Sequence, residues 1–229
     1  MKLLIFDIDG TLTSLDGATT RAYSKAFFEI FGKEPVTEGL SMHGRTDPLI
    51  FRECFERTGI PGNWREGYET FKPLYLAFLP DSIQNSPKAR VHIGVRELLD
   101  ILAASPNEFA LALGTGNMEP GARTKIGHFG LNHYFPVGGF GDIHEERYMI
   151  MQDAISASTE FFGHSFAAED TWVIGDTEFD VHGAQQAGLR CLAVATGGKY
   201  TTEMLEATGA DAVREDLGQI QEILELFRR

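Results

Sequence analysis

The sequence predicts an α/β fold, with a doubly wound, mostly parallel sheet and an inserted block of helices. Three observations favour this fold. The chain opens on an unbroken apolar run at residues 3–6, which is typical of a strand buried on both faces of a parallel sheet. From Val91 onward, short apolar runs alternate with helical patterns, as in βα repeats. Between these regions, the pattern of residues 15–86 is helical.

Length and composition are those of an ordinary globular protein. The chain has 229 residues, of which 43% are hydrophobic and 23% charged, enough for one α/β domain with a smaller insert. We therefore expect a core domain formed by residues 1–14 and 87–229 and a helical cap domain at 15–86. The net charge of −13 makes nucleic acids and anionic membranes poor partners. The two cysteines lack metal spacing, and no leader or membrane-spanning run is visible, so we expect a cytoplasmic protein.

The insert contains three helical patterns. Apolar residues recur at helical spacing over residues 22–31, and Gly32 follows as a stop signal. A second helix is predicted at residues 48–58, ended by Gly59. Aromatic residues at helical spacing predict a third helix at 64–79, and Pro80 with the polar run to Lys88 predicts a linker.

The remaining elements alternate between strand and helix. In order, the patterns predict helix 95–104, strand 109–113, helix 122–129, strand 134–137, helix 147–162, strand 172–174, helix 181–187, strand 191–195, and strand 212–213 between two helical stretches. Several strands finish in a polar or glycine-rich tip. In such a Rossmann-like sheet these tips meet at one edge, where ligands bind.

Two carboxylates follow the first strand at Asp7 and Asp9, and Gly10 would let the backbone turn close to a ligand. An ionised Asp beside a hard cation can act as a nucleophile, and its neighbour can act as a general acid. The same residues also fit a solvated strand end with a turn at Asp9-Gly10.

Three motifs in this order resemble those of the haloacid dehalogenase-like (HAD) hydrolase superfamily. Residues 7–12 (DIDGTL) are similar to its first motif, residues 111–117 (LALGTGN) to its second, and residues 175–180 (GDTEFD) to its fourth. The helical insert lies where this family places a C1-type cap. The sequence is most similar to the phosphoglycolate-phosphatase-like branch.

The resemblance implies Mg²⁺-dependent hydrolysis of a small phosphate monoester through an aspartyl-phosphate. Asp7 would be the nucleophile and Asp9 the general acid and base. The residues expected to bind the phosphoryl group or the substrate are Gly10, Thr11, His43, Arg45, Thr115, Gly116 and Asn117. The magnesium ligands would be the Asp7 carboxylate, the Asp9 backbone carbonyl, Asp176 and Asp180, since Mg²⁺ prefers oxygen ligands.

The third motif of the family is usually a lysine, and this region carries none. Arg147 is expected to substitute for it as a catalytic cation, since a guanidinium can neutralise both a nucleophile and a phosphoryl group. Lys125 and Lys199 are the rivals. We expect Lys125 on a solvated face of the helix that follows the second motif, whereas Lys199 could reach the site.

Other functions fit the same residues. A β-phosphoglucomutase-like phosphotransferase keeps both acids, and a non-catalytic relative that binds phosphate or a partner fits the missing lysine. A phospho-acceptor signalling domain is disfavoured by Asp9 and the insert. Asp9 also argues against dehalogenases and phosphonatases, which lack an acid there. The substrate could be phosphoglycolate, a sugar phosphate or a nucleotide monophosphate, and the chain a monomer or homodimer.

Overall fold

The computed structural model describes residues 1–40, 42–142 and 144–229. Its strands are β1 (Lys2–Phe6), β2 (Thr13–Ser14), β3 (Arg90–Val91), β4 (Phe109–Thr115), β5 (Val137–Phe140), β6 (Thr171–Gly175), β7 (Arg190–Val194) and β8 (Ala212–Arg214). Six of them form one parallel sheet in the order β5-β4-β1-β6-β7-β8. The predicted α/β, doubly wound fold class is confirmed.

Strand β1 lies inside the sheet and pairs with β4 on one side and β6 on the other. Its side chains alternate between the two faces, as strand geometry requires. Leu4 and Phe6 join one hydrophobic cluster, and Leu3 and Ile5 join the other. This two-sided burial explains the unbroken apolar run in the sequence.

Helices cover both faces of the sheet. The helices of the chain are α1 (Ala18–Phe31), α2 (Asp47–Arg57), α3 (Trp64–Gln84), α4 (Val95–Ala103), α5 (Glu119–His128), α6 (Arg147–Phe162), α7 (Glu178–Ala187), α8 (Thr202–Ala207) and α9 (Ile220–Arg228). Helices α4, α5 and α9 contribute to the cluster on one face, and α6, α7 and α8 to the cluster on the other. The crossovers therefore pass on both sides of the sheet.

Helices α1, α2 and α3, called here the three-helix layer, have a hydrophobic cluster of their own. Its centre is aromatic: the rings of Phe71 and Tyr75 stack with centroids 5.5 Å apart. The layer is joined to the sheet on either side by β2 and β3, which pair antiparallel at Thr13 and Val91. The two connections to the layer therefore run side by side.

The third helix is longer than predicted. The linker expected from Pro80 onward is wrong at its start, because α3 continues to Gln84 with Pro73 and Pro80 inside it. A proline removes one backbone hydrogen bond from a helix. Burial of Leu79 and Ile83 in the cluster of the layer holds the helix together past Pro80.

The edge strand β5 also differs from prediction. The strand expected at 134–137 lies at Val137–Phe140, and Asn132–Tyr134 form a turn of 3-10 helix. Glycines usually weaken a strand, so the glycine-rich run after Val137 carries no strand signal in the sequence. Here α6 packs so closely that a side chain at Gly139 would meet the Ile150 carbonyl oxygen at 1.9 Å.

Among the helices of the described residues, none is both long and apolar enough to cross a membrane.

Candidate active site

A cavity of about 390 Å³ lies between the three-helix layer and the edge of the sheet where the parallel strands end. Asp7 follows β1, and Thr115 ends β4. Of the residues predicted from the sequence, those that line the cavity are Asp7, Asp9, Gly10, His43, Arg45, Thr115, Gly116, Asn117 and Arg147. The polar tips of separate strands thus meet in one enclosed space.

Three buried carboxylates lie at the base of this site. Asp7, Asp176 and Asp180 each offer one oxygen, and these oxygens lie within 4.8 Å of one another. Burial raises the pKa of Asp7 to about 6, opposed by Arg147 and reinforced by Asp180 and Asp9. Burial, with the charges of Asp180 and Asp7, also raises the pKa of Asp176 well above its usual range. The cluster is therefore a place where a cation would be strongly stabilised.

Arg147, the first residue of α6, binds two of these carboxylates. Its Nη2 lies 3.1 Å from Asp7 Oδ1, and its guanidinium donates to Asp180 Oδ1, with Nε at 3.1 Å. Burial lowers the pKa of Arg147, but the carboxylates of Asp180 and Asp7 more than offset that effect and raise it. A permanent positive charge is thus fixed beside the Asp7 oxygen.

Asp180 is held by its own helix. Its Oδ2 accepts hydrogen bonds from the Thr177 amide at 3.0 Å and from the Thr177 hydroxyl at 2.7 Å. The bond from the Thr177 amide, together with the one that the Thr177 side chain accepts from the Asp180 amide, forms a capping box at the start of α7. Both Asp180 oxygens therefore already accept hydrogen bonds, and Asp180 fixes the position of Arg147.

Among the described residues, only one of the two carboxylate oxygens of Asp176 has a hydrogen-bond partner. Its Oδ1 accepts a hydrogen bond from the Thr11 hydroxyl at 3.2 Å, whereas its Oδ2 is buried without a hydrogen-bond partner among the residues that the structure describes. A buried carboxylate oxygen without a partner is costly. The oxygen donors of Asp7 and Asp176 and this unsatisfied atom fit a hard cation such as Mg²⁺.

A second network lies on the opposite side of Asp7. The Asn117 amide donates to Asp9 Oδ2 at 2.8 Å and to Thr115 Oγ1 at 2.7 Å. The Lys125 ammonium donates to the same Asp9 oxygen at 2.6 Å and to Asn117 Oδ1 at 2.5 Å. The second motif is thereby tied to the second acid of the first motif.

The prediction that Lys125 lies on a solvated face is wrong, because Lys125 is 1% exposed and points into the site. Its helix, α5, packs against both the sheet cluster and α3, and Lys125 lies on the buried side of the helix with Gly121, Ala122 and Ile126. The signal that could have found it is the spacing from Asn117, since residue 125 follows the second motif by two helical turns.

The loop that precedes α2, with the first residue of α2, adds further residues to the cavity. His43 and Arg45 line the cavity, with Arg45 paired to Glu53 at 2.5 Å. Asp47 was not predicted as a site residue, yet it also lines the cavity, and its carboxylate accepts a hydrogen bond from the Met118 amide at 2.8 Å. Burial raises the pKa of Asp47 to about 6, opposed by Lys125.

The family model described as haloacid dehalogenase-like hydrolase matches residues 4–194. The chain belongs to the haloacid dehalogenase-like hydrolase family. The match includes β1, β4 and β6, whose ends carry the carboxylates and Thr115. The resemblance inferred from three short motifs is confirmed over most of the chain.

The proteins and solved structures to which this chain is similar are named after different activities. The tyrosine-protein kinase PtkA of Mycobacterium tuberculosis is 27% identical over 232 residues, covering 95% of this chain and 72% of that protein. A predicted phosphoglycolate phosphatase from Haemophilus somnus has a TM-score of 0.75 at 18% identity, covering 98% of each chain. The β-phosphoglucomutase of Clostridium difficile has a TM-score of 0.74 at 16% identity, covering 100% of this chain and 97% of that one. The two structures establish the shared fold.

Within this member of the haloacid dehalogenase-like family, the structure separates the three candidate cations. Arg147 contacts Asp7, and Lys125 contacts Asp9. Lys199 is exposed, with its ammonium 4.8 Å from the centre of the Tyr200 ring. The nucleophile candidate and the acid candidate thus each have their own cation.

Proposed function

We propose that this protein hydrolyses a small phosphate monoester through an aspartyl-phosphate formed on Asp7. The observation that carries the proposal is the setting of the Asp7 carboxylate. It lies in one cavity with the Arg147 guanidinium 3.1 Å away, the Asp176 carboxylate beside it and Asp9 two residues along the chain. Membership of a hydrolase family supports it.

Mg²⁺ is the proposed cofactor, held by the Asp7 carboxylate, the Asp9 main-chain carbonyl and the Asp176 carboxylate, with Asp180 beside them. Its chemistry when bound would be to neutralise negative charge on Asp7 and on the transferring phosphoryl group. The unsatisfied Oδ2 of Asp176 supports this assignment.

In the first step, an Asp7 oxygen attacks phosphorus and the bond from phosphorus to the leaving oxygen breaks. Asp9 donates a proton to that oxygen, so the leaving group departs as an alcohol. Arg147 faces the phosphoryl oxygens, and Thr115 with the Gly116 amide holds them in place. In the second step, water attacks the phosphorus of the aspartyl-phosphate, Asp9 takes a proton from that water, and the bond from phosphorus to the Asp7 oxygen breaks. Phosphate leaves, Asp7 is again a carboxylate, and Asp9 is again protonated.

Residues 15–86 would form the cap domain that encloses the leaving group. The three-helix layer has its own hydrophobic cluster and supplies His43, Arg45 and Asp47 to the cavity. A volume of about 390 Å³ suits a small phosphorylated metabolite.

A second candidate is phosphoryl transfer to an acceptor other than water. The names of two relatives favour it, a tyrosine-protein kinase and a β-phosphoglucomutase. The same Asp7 and Asp9 chemistry would serve, with an alcohol in place of water in the second step.

The test is release of inorganic phosphate from p-nitrophenyl phosphate and a panel of small phosphate esters, with Mg²⁺ or with EDTA. The Asp7→Asn variant should lose turnover, and Asp81→Asn, at an exposed position of α3, should retain it. Metal-dependent release that survives Asp7→Asn would contradict the proposal. Product in which the phosphate has moved without release would favour the transferase.

A further inference from the structure

Lys125 is a buried charged group for which the proposed mechanism has no role. It lies in α5, is 1% exposed, and lines the cavity. A buried ammonium is costly unless it is paired and hydrogen-bonded. Its partners are Oδ2 of Asp9 at 2.6 Å and Oδ1 of Asn117 at 2.5 Å.

These contacts act on one oxygen of Asp9. Lys125 donates to Oδ2, and the Asn117 amide donates to the same Oδ2 at 2.8 Å. Asn117 is itself fixed by the Thr115 hydroxyl, which accepts from its amide at 2.7 Å. Oδ2 therefore accepts hydrogen bonds from two donors: Asn117, tied to the end of β4 through Thr115, and Lys125 in α5.

The Asp9 side chain is 43% exposed, which is far more than the side chain of Lys125, at 2%. A carboxylate that exposed would sample several rotamers without an anchor. Proton transfer to a leaving oxygen requires one defined position within hydrogen-bond reach. The buried Lys125 ammonium therefore restricts the exposed Asp9 carboxylate to one position.

We propose that Lys125 is a positioning residue that holds Asp9 Oδ2, so that Oδ1 is the oxygen that exchanges the proton with the leaving group. This inference rests on the proposed function. In the step concerned, the bond between phosphorus and the leaving oxygen breaks and the bond from phosphorus to Asp7 forms. The proton on Asp9 Oδ1 passes to the leaving oxygen.

A lysine that served only to stabilise α5 would give a different kinetic result. An alkyl phosphate needs a proton on its leaving oxygen, whereas p-nitrophenyl phosphate can leave as a stable phenolate. Loss of a positioned acid therefore harms the alkyl ester selectively. Loss of folded protein lowers the rates for both esters by the same factor, so their ratio on one preparation does not change.

The experiment compares kcat/KM for an alkyl phosphate and for p-nitrophenyl phosphate, because kcat/KM reports the steps up to departure of the leaving group. The variants are Lys125→Met and Lys125→Arg, with Lys88→Met at an exposed position as the matched control. We expect Lys125→Met to lower the alkyl-to-aryl ratio by roughly 10- to 100-fold, part of what a general acid contributes. Lys125→Arg should recover part of that loss, and Lys88→Met should leave the ratio unchanged.

The Asp9→Asn variant tests whether Lys125 acts through Asp9. It should lower the ratio at least as much as Lys125→Met, and adding Lys125→Met to it should cause no further change in the ratio. An unchanged ratio in Lys125→Met, or a further drop in the double variant, overturns the inference while leaving the proposed function in place. Failure of the unmodified protein to hydrolyse either ester overturns the proposed function itself.

Discussion

At the scale of single residues, the site is organised around negative charge that the protein only partly balances. Asp7, Asp176 and Asp180 are buried together, and Arg147 binds Asp7 and Asp180. One oxygen of Asp176 accepts a hydrogen bond from Thr11, and the other has no hydrogen-bond partner in the part of the chain that the structure describes. The folded state without a cation is therefore strained by its own carboxylates, and cation binding should be linked to stability.

The first prediction concerns Asp176→Asn. Without metal this variant should be more stable than the unmodified protein, because it removes a buried charge but keeps an acceptor for Thr11. A gain of about 1 kcal/mol would raise the melting temperature by roughly 2–4 °C for a chain of this size. The increase in melting temperature that Mg²⁺ gives the unmodified protein should shrink in the variant. Thermal unfolding with EDTA and with Mg²⁺ measures both effects.

The control is Asp81→Asn, which removes an exposed carboxylate of α3. It should leave the melting temperature unchanged in EDTA and keep the full Mg²⁺ effect. An Asp176→Asn variant that is less stable in EDTA and still gains from Mg²⁺ would contradict the assignment of this carboxylate to a cation.

The second prediction concerns Asp47 and pH. Its pKa rises from 3.8 to about 6 in the folded protein, so its stabilising contribution is present at low pH and is lost as pH rises through about 6. Above that pH a shift of this size costs about 3 kcal/mol. Asp47→Asn should therefore be more stable than the unmodified protein at pH 8, with a smaller advantage at pH 4.5. Urea unfolding at the two pH values measures the difference.

An advantage of Asp47→Asn that is equal at both pH values would show that ionisation of Asp47 is not its cause. Asp81→Asn is the reference here too, because an exposed carboxylate should give no advantage at pH 8.

Many residues of the site could be predicted from the sequence, but the burial of its polar side chains could not. The sequence places Asp7, Asp9 and Thr115 at strand ends, and a parallel sheet brings strand ends together. Lys125 and Asp47 were missed because a helix pattern indicates which residues are apolar, not which polar residues a neighbouring element will cover. Lys125 is covered where α5 packs against α3, and Asp47, at the start of α2, is held by a hydrogen bond from the Met118 amide.

At the scale of elements, the position of a helix or strand depends on how closely neighbouring backbones approach it as much as on the helix or strand propensity of its own residues. The periodic patterns predict the helices well, and the structure begins and ends α6 at the predicted residues 147 and 162. The errors occur at Pro80 and at β5, where tertiary packing outweighs a local signal. The end of α3 and strand β5 both pack against elements distant in the chain, and the local sequence does not indicate that packing.

The third prediction tests how β5 positions α6. A methyl group at Gly139 would lie 1.9 Å from the Ile150 carbonyl oxygen and 2.9 Å from the Ala154 amide nitrogen, both backbone atoms of α6. Gly139→Ala should therefore displace α6 or the strand and destabilise the protein by about 2 kcal/mol or more. It should also lower phosphatase activity, because Arg147 is the first residue of α6. Urea unfolding and phosphate release measure the two effects.

Gly121→Ala is the matched control. In α5 the added methyl group meets its nearest neighbour, Met118 Cγ, at 3.4 Å, so it should be tolerated and even stabilise the helix. If the two variants have equal stability, the tight packing of β5 against α6 does not limit stability.

At the scale of the whole molecule, the start of α2 is hydrogen-bonded to the loop after β4 beside the site. The Asp47 amide donates to the Gly116 carbonyl at 2.9 Å, and the Met118 amide donates to the Asp47 carboxylate at 2.8 Å. The sequence predicts both the sheet and the insert, but not this contact, because it joins loops far apart in the chain. Residues of both the layer and the sheet edge line the cavity, so its shape depends on their contact.

The last prediction tests that contact with two glycines of one loop. Gly44 has φ of +72° and a methyl group there would lie 2.5 Å from Phe179 Cδ2 and 2.7 Å from Thr177 Oγ1, at the start of α7. Gly39 has a nearly equal φ of +71°, and among the described residues no atom would lie within 4 Å of a methyl group there. An alanine would strain the backbone at both positions. At Gly44 its methyl group would also push the loop away from the start of α7.

We expect Gly44→Ala to raise KM for phosphate esters at least several-fold and to speed amide hydrogen exchange in residues 44–50, because separation of the layer opens the cavity. Gly39→Ala should show only the modest loss of stability that the shared φ imposes, with KM unchanged. Steady-state kinetics and hydrogen exchange on the two variants decide the matter. Equal effects of both substitutions would mean that backbone strain in the loop, rather than its contact with α7, controls access to the site.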